Sequence, residues 1–238
     1  MDLALEASTD ASTTVAARVQ RLRDEVAEVA RSANRDPAEI AIVAVSKLQP
    51  PSAVREAYDA GLRAFGENYV QEALAKFAGL PTDAERHFIG HIQTNKARAL
   101  ARGFDLVQSV DRLHAGVALA KAARAAGRRL RVLVQINVSP QERFGAAPSD
   151  APALADELRA EGLEVAGTMA IGPLTNDART IREAFLRAAD AHERVGGTIL
   201  SLGMSADWRV AVACGSTMIR VGTAIFGPRP LSKGDSSS

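Results

Sequence analysis

The chain has little of what marks a secreted, membrane or nucleic-acid-binding protein. Cysteine occurs once in 238 residues, at Cys214, so no disulfide can close within the chain and a reducing, cytoplasmic setting is expected. No apolar run is long enough to span a bilayer. The first residues, MDLALEASTDASTT, are polar and acidic and lack the apolar segment of a signal peptide. An excess of one charge is missing too: 29 Lys+Arg against 28 Asp+Glu leaves +1, which gives no electrostatic basis for binding nucleic acid or an anionic membrane. There is no internal repeat, no linker dividing the chain, no Walker A loop, and no G-x-G-x-x-G after the first strand-like stretch.

What is present is an ordinary globular composition, 47% hydrophobic and 24% charged, arranged in alternating blocks. Residues 14–33 place Val15, Val19, Leu22, Val26 and Val29 at helical spacing, which predicts an amphipathic helix ahead of the first strand. Strand-like stretches follow at 40–46, 63–66, 87–90, 105–110, 130–138, 164–170, 198–202 and 217–226. Helix-like stretches lie between them at 52–60, 67–78, 94–102, 111–126, 150–161, 177–195 and 205–213. Strands alternating with helices imply a parallel sheet, and eight such strands predict one α/β domain over 1–238, closed as a TIM-type (β/α)8 barrel. The alternative is an open doubly wound sheet, against which the missing glycine fingerprint counts. Residues 1–13 and 231–238 (LSKGDSSS) are expected to be disordered tails.

The stretch 41–50, AIVAVSKLQP, organises the functional reading. Its apolar and β-branched residues predict a buried strand stopped by Pro50-Pro51, with Lys47 at the carboxyl end. Burial disfavours an ammonium and frees the neutral amine that condenses with a carbonyl. A lysine there could equally snorkel into water. In a barrel the active face collects the carboxyl ends of the strands, and polar residues or glycines fall at nearly every one: Glu67-Asn68, Gly90-His91, Asn137, Ser201-Gly203 and Gly222-Thr223 among them. Ser109, Asp111 and Thr94 are better read as helix caps.

Residues 201–227 carry the next signal. Ser201, Gly203, Met204 and Ser205 are expected to open a helix after the seventh strand, where free N–H groups and the helix dipole favour an anion. Gly222 and Thr223 would add donors from beyond the eighth strand's core. Arg220 alternates with Ile219 and Val221, sharing a face with Met218 and Gly222, and is expected to line the barrel mouth. An imine-forming lysine, a phosphate cradle and an arginine suit pyridoxal 5′-phosphate (PLP). His87 and His91 read as strand rather than a metal pair, His114 and His192 as surface residues, and Cys214, Trp208 and Met204 as packing.

At this point the residues resemble a known family. AVSK (44–47), FGENYVQE (65–72), HFIGHIQTNK (87–96), SVDR (109–112), QINVS (135–139), GTMAI (167–171), LSLGMSADW (200–208) and GSTMIRVGTAIFG (215–227) are similar to motifs of the pyridoxal phosphate homeostasis proteins. These are single-domain relatives of the alanine racemase barrel, PLP proteins of fold type III. The resemblance implies that Lys47 carries PLP as an internal aldimine. It further implies that Ser201, Gly222 and Thr223, with the Gly203-Met204 backbone, hold the phosphate. Arg220 would face the pyridine nitrogen, and Asn68 and His91 would line the pocket. Its implied partners are PLP and PLP-dependent apo-enzymes, with no nucleic acid or membrane, in a monomer or weak dimer. Two departures stand out: Arg143 in ERFG where lysine is frequent, and SKLQP where SKTKP is common, so that Leu48 and Gln49 differ.

Arginine only donates hydrogen bonds, so Arg220 would keep the pyridine nitrogen unprotonated and the ring a poor electron sink. A two-base racemase needs a second acid/base, and the only tyrosines, Tyr58 and Tyr69, are poor candidates. The expected function is therefore PLP carriage and homeostasis, bearing on amino and keto acid balance. The alternatives are a low-activity amino-acid racemase with Lys47 as one base, and a cofactor-free Schiff-base aldolase.

Overall fold

A computed structural model describes residues 14–139 and 143–227, so the tails expected at 1–13 and 231–238 lie outside the described residues. The chain begins with α1 (Val15–Ser32), whose buried face is Val15, Val19, Leu22, Val26 and Ala30. The Thr14 hydroxyl caps it by accepting from Ala17 N. There follow β1 (Ala41–Val45), α2 (Pro51–Asp59), β2 (Ala64–Glu67), α3 (Val70–Phe77), β3 (Glu85–Phe88), α4 (Ala97–Gly103), β4 (Leu106–Val110), α5 (Leu113–Ala125), β5 (Arg131–Ile136) and α6 (Ala151–Ala160). The chain continues through β6 (Glu164–Ala170), α7 (Ala178–Val195), β7 (Ile199–Ser201), α8 (Trp208–Ala213), β8 (Met218–Val221) and a single turn, α9 (Thr223–Phe226).

The eight strands are parallel and hydrogen-bond in sequence order, and β8 pairs with β1 to close the barrel. The open-sheet alternative is thereby excluded. Closure sets Val43 opposite Arg220 and Ala44 opposite Val221, so the first and last strands share the seam that bears the candidate residues. Most apolar residues fill the layer between strands and helices. The lumen holds a smaller cluster of Val43, Leu106, Leu133, Met169, Ile199 and Met218. Four polar side chains, His87, Gln108, Ser201 and Arg220, are buried with it.

Several bounds differ from the sequence expectation, α3 and α4 starting three residues later than expected, and three of the differences have a visible cause. The third strand begins at Glu85, not His87, because its polar start (Glu85-Arg86) faces the barrel's open amino end and breaks the apolar pattern. The eighth strand stops at Val221: TMIRVGTAIF is rich in apolar and β-branched residues on both sides of Gly222, and such a run does not distinguish a strand from the helical turn after Gly222. The helix expected at 205–213 begins only at Trp208, because residues 204–207 form a tight turn in which Asp207 Oδ1 accepts from Met204 N at 2.6 Å. His192, expected at the surface, is half-buried with Nδ1 3.2 Å from Thr168 Oγ1. No helix among the described residues is long and apolar enough to cross a membrane.

Candidate functional site

The backbone at the end of β1 turns sharply. Ser46 N still donates to Gly66 O, and Gln49 N then donates back to Ser46 O at 3.0 Å. The turn puts Leu48 at φ +63°, a left-handed conformation that a branched side chain adopts at a cost. A buried charged cluster holds it there. Lys76, on α3, donates to Ser46 O at 2.6 Å, Glu67 Oε1 at 2.5 Å and Glu72 Oε1 at 2.8 Å. Glu72 Oε1 in turn accepts from Leu48 N at 2.7 Å, and Ser46 Oγ donates to Glu67 at 2.7 Å. Burial pushes the Glu67 carboxyl above its ordinary range, against the pull of Lys76. Burial also opposes ionisation of Glu72, but the Lys76 ammonium and the Leu48 N–H prevail and hold its carboxyl low.

This turn delivers the half-buried Lys47 into a cavity of about 500 Å3 at the carboxyl end of the barrel. Asn68, Met204, Arg220, Gly222 and Thr223 line the same cavity. The structure thus brings together six of the nine residues singled out in the sequence. Gly203 lies just behind them: at φ +89°, with a Cβ that would come 2.7 Å from Trp208 Cα, only glycine fits, and its carbonyl accepts from Arg220 N. A Cβ at Gly222 would stand 3.1 Å from Val45 O, pressing on the strand end that carries Lys47.

Arg220 is 4% exposed and points inward. Its Nη1 donates to Ser201 O at 2.8 Å and Ser201 Oγ at 2.6 Å, and its Nη2 to Ala170 O at 2.8 Å. All three acceptors are uncharged, and no carboxylate among the described residues forms an ion pair with it. Burial therefore pushes its pKa down to about 10, partly opposed by the charge of Asp207. Two of its N–H groups, on Nε and Nη2, have no partner among the described residues.

Two residues fall elsewhere than expected. Ser201 is fully buried below the cavity, its hydroxyl committed to Gln108 Oε1 at 2.8 Å and to Arg220. The serine that lines the cavity is Ser205, four residues on. His91 stands on the outer rim, its ring stacked on Phe144 with centroids 3.8 Å apart. It lines a neighbouring recess of about 290 Å3 that it shares with Asn68. The buried Oδ1 of Asn68 has no partner among the described residues, nor has Glu67 Oε2. Of the positions noted as departures, Gln49 lines the cavity, Leu48 is exposed, and Arg143 lies 3.4 Å from Gly172 O. Leu48, Tyr69, Phe144, Leu174 and Met204, each on a loop following a strand, are exposed apolar residues at this same end of the barrel. No group of three or more His, Cys, Asp or Glu among the described residues could hold a metal ion.

Comparison with known proteins places this geometry. The profile of a family described as "Alanine racemase, N-terminal domain" matches residues 18–230. A pyridoxal phosphate homeostasis protein of Pseudomonas aeruginosa is 43% identical over 223 residues, 91% of this chain and 96% of that protein. The chain belongs to the pyridoxal phosphate homeostasis protein family. The family member of Escherichia coli is 39% identical over 232 residues, covering 92% of this chain and 98% of its own. Among solved structures, the family member PipY of Synechococcus elongatus, with PLP bound, superposes with a TM-score of 0.77 at 37% identity, covering 90% of this chain and all (100%) of that one. Alanine racemase of Bartonella henselae matches at a TM-score of 0.72 and 16% identity, over 94% of this chain and 62% of that one, which shows a common fold.

Proposed function

We propose that the cavity beside Lys47 holds PLP covalently on that lysine. On this reading the protein is a cytoplasmic carrier and regulator of the cofactor, influencing amino and keto acid balance and supplying PLP-dependent apo-enzymes. One observation carries the reading: a half-buried amine, a buried guanidinium with unused donors, and chain turns with free N–H groups face one cavity. Support also comes from the names of the homologues and from the Synechococcus relative with PLP bound. When bound, the cofactor supplies a reactive aldehyde, a pyridine ring and a dianionic phosphate.

The chain's own residues divide the work. Lys47 offers its amine to the aldehyde, held in place by the turn that Glu72 fixes through Leu48 N. Ser205, Ala206 and Thr223 line the cavity with backbone N–H groups that have no partner among the described residues, the arrangement a phosphate requires. The serine in this role is Ser205 rather than Ser201, with Gly203 and Gly222 allowing the chain its close approach. Arg220 donates to the ring nitrogen and, being a donor only, keeps it unprotonated. Asn68 brings an unpartnered acceptor to the wall.

The carrier reading is favoured over a racemase by what could move a second proton. Among the described residues lining the cavity, Lys47 and Arg220 alone ionise. The Tyr58 hydroxyl donates to Asp83 at 2.6 Å, and Tyr69 lines the neighbouring recess. Borohydride reduction of the protein incubated with PLP, followed by peptide mass spectrometry, tests the proposal. A phosphopyridoxyl group on Lys47, absent from Lys47→Ala, is expected. No adduct, or one on another lysine, overturns the assignment. Alanine racemisation that is efficient in the loaded wild type and lost in Lys47→Ala would replace the carrier by the racemase.

A further inference from the structure

A directed line of hydrogen bonds runs through the lumen of the barrel and ends on Arg220. Arg220 Nη1 donates to Ser201 Oγ at 2.6 Å, and Ser201 Oγ donates to Gln108 Oε1 at 2.8 Å. The Gln108 amide nitrogen lies 3.0 Å from His87 Nδ1, and His87 Nε2 lies 3.0 Å from Glu85 Oε2. Ser201, Gln108 and His87 are buried to 2% exposure or less, whereas the Glu85 side chain is 48% exposed. The line crosses from β8 and β7 to β4 and β3, on the far side of the barrel, and descends from the cavity floor to the amino-terminal opening.

The chemistry of the two ends fixes every group between them. A guanidinium can only donate and a carboxylate can only accept. Ser201 therefore accepts from Arg220 and spends its proton on Gln108 Oε1. That choice turns the Gln108 NH2 toward His87, also within 3.3 Å of Met218 Sδ. His87 Nδ1 must then accept, so its proton sits on Nε2 and is donated to Glu85. Arg220 has no ion-pair partner among the described residues, and the aligned dipoles give the buried cation a path of compensation to a carboxylate at the surface.

We infer that Gln108 and His87 are positioning residues for Arg220: they fix the rotor of Ser201 and through it the guanidinium that meets the ring nitrogen. The inference rests on the PLP reading of the cavity. Gln108→Leu cuts the line at its centre, leaving the Ser201 hydroxyl proton without its acceptor and His87 Nδ1 without its donor. Gln108→Glu keeps the acceptor for Ser201 but replaces the donor facing His87, which must then carry a proton on Nδ1.

Two measurements on the full chain test this. Nitrogen-15 NMR of the histidine rings in the unloaded wild type should show His87 as the Nε2–H tautomer, and in Gln108→Glu a proton on Nδ1. With PLP loaded, absorbance against pH and the rate of cofactor release should differ between wild type and Gln108→Leu. A displaced titration midpoint and release about tenfold faster are expected, the scale of one hydrogen bond to a charged group. Should Gln108→Leu not fold, Gln108→Glu carries the same spectral and release measurements. His87 protonated on Nδ1 in the wild type overturns the line. Unchanged spectrum and release in a folded, loaded variant overturn the positioning role. A wild type forming no adduct on Lys47 overturns the PLP reading, and the role with it, while the wild-type tautomer still decides the line itself.

Discussion

Lys76 and Arg220 are both buried cations, one bracing the turn that presents Lys47 and the other lining the cavity that Lys47 enters, and the protein compensates them in opposite ways. Around Lys76 the partners form a knot of two carboxylates and a carbonyl within direct reach of one ammonium. Around Arg220 they form a line, with Ser201, Gln108 and His87 between the cation and its distant carboxylate. The knot grips backbone, through Ser46 O and Leu48 N, so it decides where the chain runs and where Lys47 starts. The line grips a side chain, so it decides where a guanidinium points. A dry charge cluster tolerates loss of a member poorly, because the survivors are left uncompensated. A line of dipoles loses about one hydrogen bond when cut.

That contrast is open to attack, most severely at Lys76. Lys76→Met strands Glu67 and Glu72 beneath the turn and is expected to cost about 3–5 kcal/mol in urea unfolding. A cost below about 1 kcal/mol would show that the knot does not hold the fold. Arg220→Met is expected to stay within about 1.5 kcal/mol of wild type, since relief of a desolvated cation offsets the lost hydrogen bonds. Retention of PLP, followed by equilibrium dialysis, should nonetheless weaken at least about tenfold, roughly 1.4 kcal/mol. Equal damage to stability and retention would erase the distinction between the two networks. Glu72→Gln keeps an acceptor for Leu48 N but loses its charge. A stability loss of about 1 kcal/mol is expected, with slower adduct formation at Lys47 in a timed borohydride quench.

The smallest effect is one of sign. The Glu67 carboxyl is raised above its ordinary value of 4.5, so its stabilising contribution is full below that pH and fades as pH rises through the folded value. The Glu72 carboxyl is lowered from 4.5, so its contribution is present above that pH and is lost on acidification. Unfolding measured across this range should therefore show Glu67→Gln gaining on wild type as pH rises and Glu72→Gln losing ground. The same slope in both variants would mean that the two carboxylates respond as one.

Much of the fold was legible because alternation of strand and helix is a local property. The closed barrel, the amphipathic α1 and the placement of Lys47 after β1 all follow from patterns within a few residues. The supports of the site are a different kind of information. His87, Gln108, Ser201 and Arg220 come from four strands, and which of them meet depends on register around a closed sheet. Glu67 and Lys76 meet because α3 folds back over β2. The Glu72–Lys76 spacing of four on one helix was the visible hint of that knot. Ser201 and Ser205 flank one glycine in similar surroundings, and only the depth of β7 in the barrel sends the first below the cavity and leaves the second at its wall. His91 was drawn to the site by its place after β3, but the ring stacks outward on Phe144.

The seam between β1 and β8 has a consequence for biosynthesis. Lys47 leaves the ribosome well before Arg220, yet the two line one cavity, and Val45 O packs against Gly222 across the same seam. A nascent chain lacking its final strand has the amine but neither the guanidinium nor the Gly222-Thr223 turn. The wall facing Lys47 is thus complete only once the eighth strand has closed on the first.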